Sequence, residues 1–239
     1  MCASCLSKPQ PLVAEFCCRD CGTPFVNPFP LDEHGRCALC RAGLAGYDAA
    51  WSYGSFEEEL RELIHLFKYG RVRTLARPLG RFLALALPRT ERFDVVVPMP
   101  MYWLRRWRRG FNQAELLAAE IGRRAAVPVR GWVRRVKGTS PQAGLTNAKR
   151  RANVAGAFRV NGPVEGKRVL LVDDVLTTGA TASACARAMK AAGAERVMVL
   201  TVARVDRRLN ALAYNPREES GSEEFALGSL ENAGSRSIA

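Results

Sequence analysis

A chain of 239 residues with 48% hydrophobic content holds one sizeable α/β core and a small appendage, but not two full domains. No stretch approaches the roughly 18 to 20 uncharged apolar residues of a membrane-spanning helix, and the N-terminus opens on cysteines rather than on a basic and then apolar leader, so the chain reads as soluble, cytoplasmic and without membrane insertion. The formal net charge of +13 favours anionic partners, and the basic excess is uneven, since residues 216–239 carry five Glu against Arg217 and Arg236.

Residues 1–45 hold seven of the eight cysteines, six of them in the pairs Cys2/Cys5, Cys18/Cys21 and Cys37/Cys40. Paired thiolates in a reducing compartment persist as metal ligands rather than as disulfides. The spacing Cys18-x2-Cys21-x15-Cys37-x2-Cys40 is that of a zinc ribbon, in which two knuckles each offer two soft ligands and close a tetrahedral Zn²⁺ site. A closed site of four thiolates has no open position for substrate, so this metal folds the module rather than catalysing. Cys2 and Cys5 lack a second pair, with Cys17 available as a third ligand. A role for Cys2 as an N-terminal glutaminase nucleophile would need a glutaminase-sized domain behind it, and the chain has none. Cys185, alone in a helical segment, reads as a buried inert thiol.

Residues 46–206 carry the periodic segments. Leu60, Leu63, Ile64 and Phe67 recur at spacings of three and four, which predicts a helix over Phe56 to Tyr69 with Ser55 as its N-cap and Gly70 as its stop. A second helix is predicted over Leu75 to Leu87, ended by Pro88, then a buried strand over Phe93 to Val97 closed by Pro98 and Pro100. Phe111 to Ala126 reads as a third helix, and Gly138 to Phe158 as a long mobile loop or hairpin. Arg168 to Asp174 is a continuous apolar strand ending in two carboxylates. A helix from about Thr181 to Ala192, Gly193 as its C-cap and a strand from Arg196 to Ala203 complete a βαβ unit with parallel strands, whose ligand edge is the carboxyl end of the first strand. Residues 207–239, and 216–239 above all, have the composition of a disordered tail.

The motif with the most chemistry is the run Val169 to Thr181. Its turn, Thr177-Thr178-Gly179-Ala180-Thr181, delivers backbone N–H groups and hydroxyls at the positive end of the following helix, which suits a phosphate. Asp173 and Asp174, ionised and acceptor-only, suit the vicinal hydroxyls of a sugar. A 5-phosphorylated ribose satisfies both ends at once, whereas a plain helix-capping turn would not need two adjacent carboxylates at a buried strand end.

This segment resembles the ribose-phosphate-binding motif of type I phosphoribosyltransferases, which implies that Asp173 and Asp174 serve as the catalytic-site acidic pair holding the ribose and that the ligand is phosphoribosyl diphosphate with Mg²⁺. Together with Leu63-Ile64-His65-x-x-Lys68-Tyr69, Val97-Pro98-Met99-Pro100, Arg109 to Leu116, Pro141 to Leu145 and Asn153-Val154-x-Gly156-Ala157-Phe158, it is similar to the competence protein ComF family over roughly residues 18–205. That family joins a zinc ribbon to a type I phosphoribosyltransferase fold, a parallel sheet flanked by helices, and is implicated in DNA uptake during natural transformation. Many of its members carry a double ribbon with eight ligands, a pattern from which Cys2 and Cys5 depart. The resemblance implies a diphosphate-side loop at Pro98, Met99 and Pro100, countercharges from Lys68, Arg109 and Lys149-Arg150-Arg151, and other DNA-uptake proteins as partners.

The run Trp103 to Phe111 interleaves arginines with aromatics. Arg105, Arg106, Trp107 and Arg108 suit single-stranded DNA, held by phosphate neutralisation and base stacking. The alternative is that Trp103, Trp107 and Phe111, four apart, form a buried helical stripe. With two histidines and neither a Gly-x-x-x-x-Gly-Lys-Ser/Thr nor a Gly-x-Gly-x-x-Gly run, kinase, ATPase and dinucleotide-binding readings lose support. Three functions stay open: a ComF-like DNA-uptake protein with a ribose-phosphate pocket, a phosphoribosyltransferase acting on a small nucleophile, and a zinc-stabilised nucleic-acid-binding module without catalysis.

Overall fold

A computed structural model describes residues 3–138, 156–206 and residue 208. The polar loop expected over 138–158 therefore falls mostly outside the described residues, as do Lys149, Arg150, Arg151 and, apart from Arg208, the tail. The N-terminal part is built from short pieces, α1 (Ala3–Ser7), β1 (Phe16–Cys17), β2 (Pro24–Phe25) and α2 (Ala38–Arg41). There follow β3 (Ala49–Ser55), α3 (Glu58–Lys68), a 3-10 turn at Arg73–Leu75, α4 (Ala76–Ala86), β4 (Val95–Pro98), α5 (Trp103–Arg109) and α6 (Gln113–Ala125). The chain continues through β5 (Val133–Arg135), β6 (Phe158–Val160), β7 (Arg168–Leu176), α7 (Ala180–Ala191) and β8 (Arg196–Arg204).

The central sheet has the strand order β3-β8-β7-β4 and is parallel throughout. Its two inner strands, β7 and β8, are continuous apolar runs because both faces are covered. The two-residue period divides them cleanly. Leu170, Val172, Met198, Leu200 and Val202 pack with α3, α4 and α6 on one face, while Val169, Leu171, Val197 and Val199 pack with α7 and the antiparallel β5–β6 pair on the other. On α3 the expected stripe of Leu60, Leu63, Ile64 and Phe67 is buried against the sheet. Cys185 is buried on the inner face of α7, as read from the sequence.

Some boundaries differ from the sequence expectation. Ser55 is the last residue of β3 and not a cap; its hydroxyl donates to Asp206 at 3.5 Å, and α3 starts after Glu57. β3 escaped notice because Ala-Ala-Trp-Ser-Tyr-Gly-Ser lacks branched aliphatics, and it holds its place as an edge strand paired along β8. β7 runs two residues past the expected end to Leu176, and α6 starts at Gln113 under an Asn112 cap whose side chain accepts from the Ala114 N–H.

Phe67 is fully buried and its ring centroid lies 5.8 Å from that of Phe111, so α3 is pinned to the segment that leads into α6. Phe67→Ala should cost about 3–5 kcal/mol in urea denaturation, whereas truncating the exposed Leu85 should shift the midpoint little.

Candidate functional site

Cys18 and Cys21 sit on the turn joining β1 to β2, and Cys37 and Cys40 on the first turn of α2, where tight local hydrogen bonds such as Gly22 N–H to Cys18 O (2.8 Å) fold each knuckle. The four sulfur atoms lie within 4.8 Å of one another, with Cys18 to Cys40 at 3.6 Å and Cys21 to Cys37 at 3.8 Å. Ligands about 2.3 Å from a tetrahedral centre stand about 3.8 Å apart, so the four cysteines could hold a metal ion. Cys5 and Cys17 are exposed and stand outside the cluster. The cluster docks on the sheet through Arg204 at the end of β8, which donates to Cys21 O at 2.8 Å and to the Thr23 hydroxyl at 2.7 Å.

At the carboxyl edge of the sheet three elements of the sequence reading converge. β4 ends at Pro98, paired with Val172; Met99 N–H then donates to Val172 O at 2.8 Å, and the buried Asn112 amide donates to Met99 O at 3.0 Å. The Pro98–Pro100 loop is thus fixed beside the strand residue that precedes Asp173. Asp174 is 3% exposed and accepts from Lys68 Nζ at 2.8 Å, a buried ion pair that α3 supplies from its last turn. The other Asp174 oxygen, Oδ2, is buried and has no hydrogen-bond partner among the described residues. Past Leu176 the loop turns on Gly179 (φ 75°) into α7, with the Ala180 N–H on the Thr178 hydroxyl at 3.4 Å. The first-turn N–H groups of a helix have no intrahelical partner and carry its positive end.

Because β7 stays extended through both carboxylates, alternation sends them to opposite sides. Asp174 shares its side with Lys68 and Leu170, while Asp173 lies in the field of Arg135 on the α7 side and accepts the Asp174 N–H at 2.9 Å. Burial pushes the Asp173 carboxyl up to about 7, the neighbouring Asp174 carboxylate adds to the rise, and Lys68 and Arg135 oppose it. Arg135 was not visible as a site residue in the sequence. It follows Val133 and Arg134 in a short basic strand, and only the pairing of β5 with β6 stacks it over the Phe158 ring at 5.5 Å.

Arg109, implied by the resemblance as a countercharge to the diphosphate, closes the last turn of α5. It donates to Gln113 at 2.6 Å and its guanidinium lies 5.2 Å from the Tyr69 ring centre. Along α5, Trp103 and Trp107 are 64% and 78% exposed while Phe111, beyond the helix end at Gly110, is buried. The buried-stripe alternative fails for that reason: the helix stops one turn too early. Arg105, Arg106 and Arg108 are exposed beside the tryptophans, with Arg106 paired to Glu115.

Comparison with known proteins agrees with this layout. The family model described as phosphoribosyl transferase domain matches residues 108–218. Competence protein F of Haemophilus influenzae is 34% identical over 179 residues, covering 71% of this chain and 78% of that protein. DNA utilization protein YhgH of Escherichia coli is 31% identical over 197 residues, covering 78% and 83% respectively. A stretch of 58 residues is 41% identical to ribose-phosphate pyrophosphokinase 2 of Enterococcus faecalis, 24% of this chain and 18% of that one.

The raised Asp173 carboxyl has a consequence for stability. In the unfolded chain this group releases its proton near pH 4, whereas in the fold it keeps it until about 7. The folded state therefore binds more protons across that window, and stability falls as pH rises from about 4 to about 7. Asp173→Asn, whose amide oxygen still accepts the Asp174 N–H, should be more stable than wild type at pH 8 by up to about 4 kcal/mol in urea denaturation, and the difference should vanish by pH 4.

Proposed function

Because the chain belongs to the family of competence protein F and the DNA utilization protein YhgH, we propose that it is a DNA-uptake protein of the cytoplasm whose phosphoribosyl transferase domain binds a 5-phosphorylated ribose, phosphoribosyl diphosphate included. The observation that carries the pocket is the buried, unpartnered Oδ2 of Asp174 beside a satisfied Lys68 pair. An acceptor left without a donor costs about 1–3 kcal/mol, and a sugar hydroxyl supplies the donor. Asp173 and Asp174 then take the ribose hydroxyls, Thr177, Thr178, Gly179, Ala180 and Thr181 take the phosphate, and Pro98, Met99 and Pro100 face the diphosphate. Lys68 acts as the counter-ion of Asp174 rather than by meeting the diphosphate. Mg²⁺, when bound with a diphosphate ligand, neutralises its charge. Residues 1–45 form a zinc ribbon in this reading, with Zn²⁺ held by Cys18, Cys21, Cys37 and Cys40 for folding alone, and residues 46–206 form the transferase-like domain.

Single-stranded DNA is the second ligand, held on the exposed face of α5 by Trp103, Trp107, Arg105 and Arg108. Two tryptophans left in water beside unburied guanidinium groups support this, since stacking on bases and neutralising phosphates gives both a role. The pocket is tested by calorimetric titration with phosphoribosyl diphosphate and Mg²⁺. Wild type should bind, and the double change Asp173→Asn and Asp174→Asn should weaken binding about 100-fold or more by removing two charge-assisted acceptors; equal binding by both removes the pocket reading. For the DNA face, Trp107→Ala should weaken binding of a poly-dT oligonucleotide roughly 10-fold in fluorescence anisotropy. Replacing Arg105 and Arg108 by Gln should lower the slope of log affinity against log salt by about 0.7 for each phosphate that is no longer neutralised.

A further inference from the structure

The segment between the last ribbon cysteine and β3 lies along α7, the helix whose first turn faces the proposed phosphate. Arg187 of α7 donates to Leu44 O at 3.2 Å, Asp48 pairs with Lys190 at 2.5 Å, and Asp48 also accepts the Val197 N–H at 2.7 Å. Gly46, with φ 73°, passes so close that a methyl group there would stand 2.7 Å from Ser183 O. These contacts strap residues 44–48 to one side of α7 and leave Tyr47 little freedom. Its ring is wedged between the cysteine cluster and the core under α7, packing against both.

The hydroxyl of Tyr47 is delivered to the turn that precedes α7. A methyl group on Gly179 would stand 3.0 Å from that oxygen and 3.8 Å from the adjoining ring carbon, and Gly179 is the residue at φ 75° from which the helix departs. Among the described residues this hydroxyl makes no hydrogen bond, although the rest of the side chain is packed. A phenol at neutral pH is a donor, and this one, on a half-buried side chain, holds its hydrogen open to a ligand. It stands beside the first turn of α7, whose N–H groups have no intrahelical acceptor and of which that of Ala180 is on the Thr178 hydroxyl, and near the strand end that carries Asp174 Oδ2. An open donor thus stands at the phosphate end of one loop, and a buried acceptor, unpartnered among the described residues, at its sugar end.

We propose that Tyr47 is a phosphate-binding residue: its hydroxyl donates to the 5-phosphate of the sugar ligand alongside the Thr177–Thr181 loop. The inference rests on the ribose-phosphate reading of the pocket. It gives the cysteine module a share in the pocket, because the strap that carries Tyr47 leaves directly from Cys40 and is held at that end by the ribbon.

The test is titration of the full chain, with its metal, with inorganic phosphate and with ribose 5-phosphate, followed by calorimetry and by the ³¹P resonance of the bound ligand. Tyr47→Phe keeps the packed ring and removes only the donor, and its melting temperature reports whether the fold is intact. It should weaken both ligands roughly 10-fold, the effect of losing one hydrogen bond to a charged group, and shift the bound ³¹P resonance. The double change at Asp173 and Asp174 should weaken ribose 5-phosphate far more than inorganic phosphate. If Tyr47→Phe binds both ligands as wild type does, the proposal is overturned and the pocket stands. If wild type binds neither ligand, the pocket reading itself fails and the role of Tyr47 falls with it.

Discussion

Two adjacent carboxylates at the end of a central, doubly covered strand are the constraint around which the rest of this protein is arranged. β7 is apolar because both its faces are buried, yet it carries Asp173 and Asp174 before it ends. Charges in that position need compensation from outside the sheet. Lys68, from the last turn of α3, pairs with Asp174 and also favours the charged form of Asp173, to which Arg135 of β5 adds from the other face. The placement of α3 and of the β5–β6 pair is therefore tied to the chemistry of one strand end as well as to the filling of the core. Removing Lys68 would leave Asp174 buried without its counter-ion, a loss of a larger order than that of an exposed pair, and the same geometry holds one Asp174 oxygen open.

The cysteine module shows a different solution to a shortage of apolar surface. Its cluster consists of the cysteines with Phe25, Leu31 and Tyr47, too little to fold by burial. It leans on the larger domain, most directly beside the cysteine cluster. Arg204, at the last position of β8, reaches Cys21 O and Thr23, and Ala50 N–H of β3 donates to Asp20 O at 2.8 Å. Gly22, at φ 63°, approaches so closely that a methyl group would stand 2.8 Å from Ala50 O. The ribbon is thus built against the edge strand β3, which covers an otherwise open sheet edge.

How far the sequence disclosed all this depends on whether a signal was local. The βαβ unit from Arg168 to Arg204, the α3 stripe and the four-cysteine spacing are each written within a short run whose period or spacing has one physical reading, and the structure reproduces them. Asp173 and Asp174 could be named because adjacent carboxylates at the end of an apolar strand are unusual in themselves, whereas Lys68 was named only through the family resemblance. β3 was missed because Ala-Ala-Trp-Ser-Tyr-Gly-Ser has no strand signature and owes its conformation to pairing with β8, more than a hundred positions away. Arg135 and Tyr47 were missed for the same kind of reason. Neither stands in a motif, and each reaches the strand end only through a tertiary contact. Arg109, which only the resemblance pointed to, packs over the Tyr69 ring and donates to Gln113.

The proposed pocket and the proposed DNA face share a single loop. β4 ends at Pro98 and α5 begins at Trp103, so the residues that flank Asp173 lead within one short connection to the exposed tryptophans. That connection is held from several sides: Met99 N–H on Val172 O, Asn112 on Met99 O, and Gly138 close enough to the Tyr102 ring that a methyl group there would stand 2.8 Å from it. A segment clamped at both ends transmits a displacement instead of absorbing it, since packed interiors yield little. The setting of α5 is in this way fixed from the carboxyl edge of the sheet. The loop is the chain segment through which the proposed sugar-phosphate pocket runs directly into the proposed nucleic-acid face.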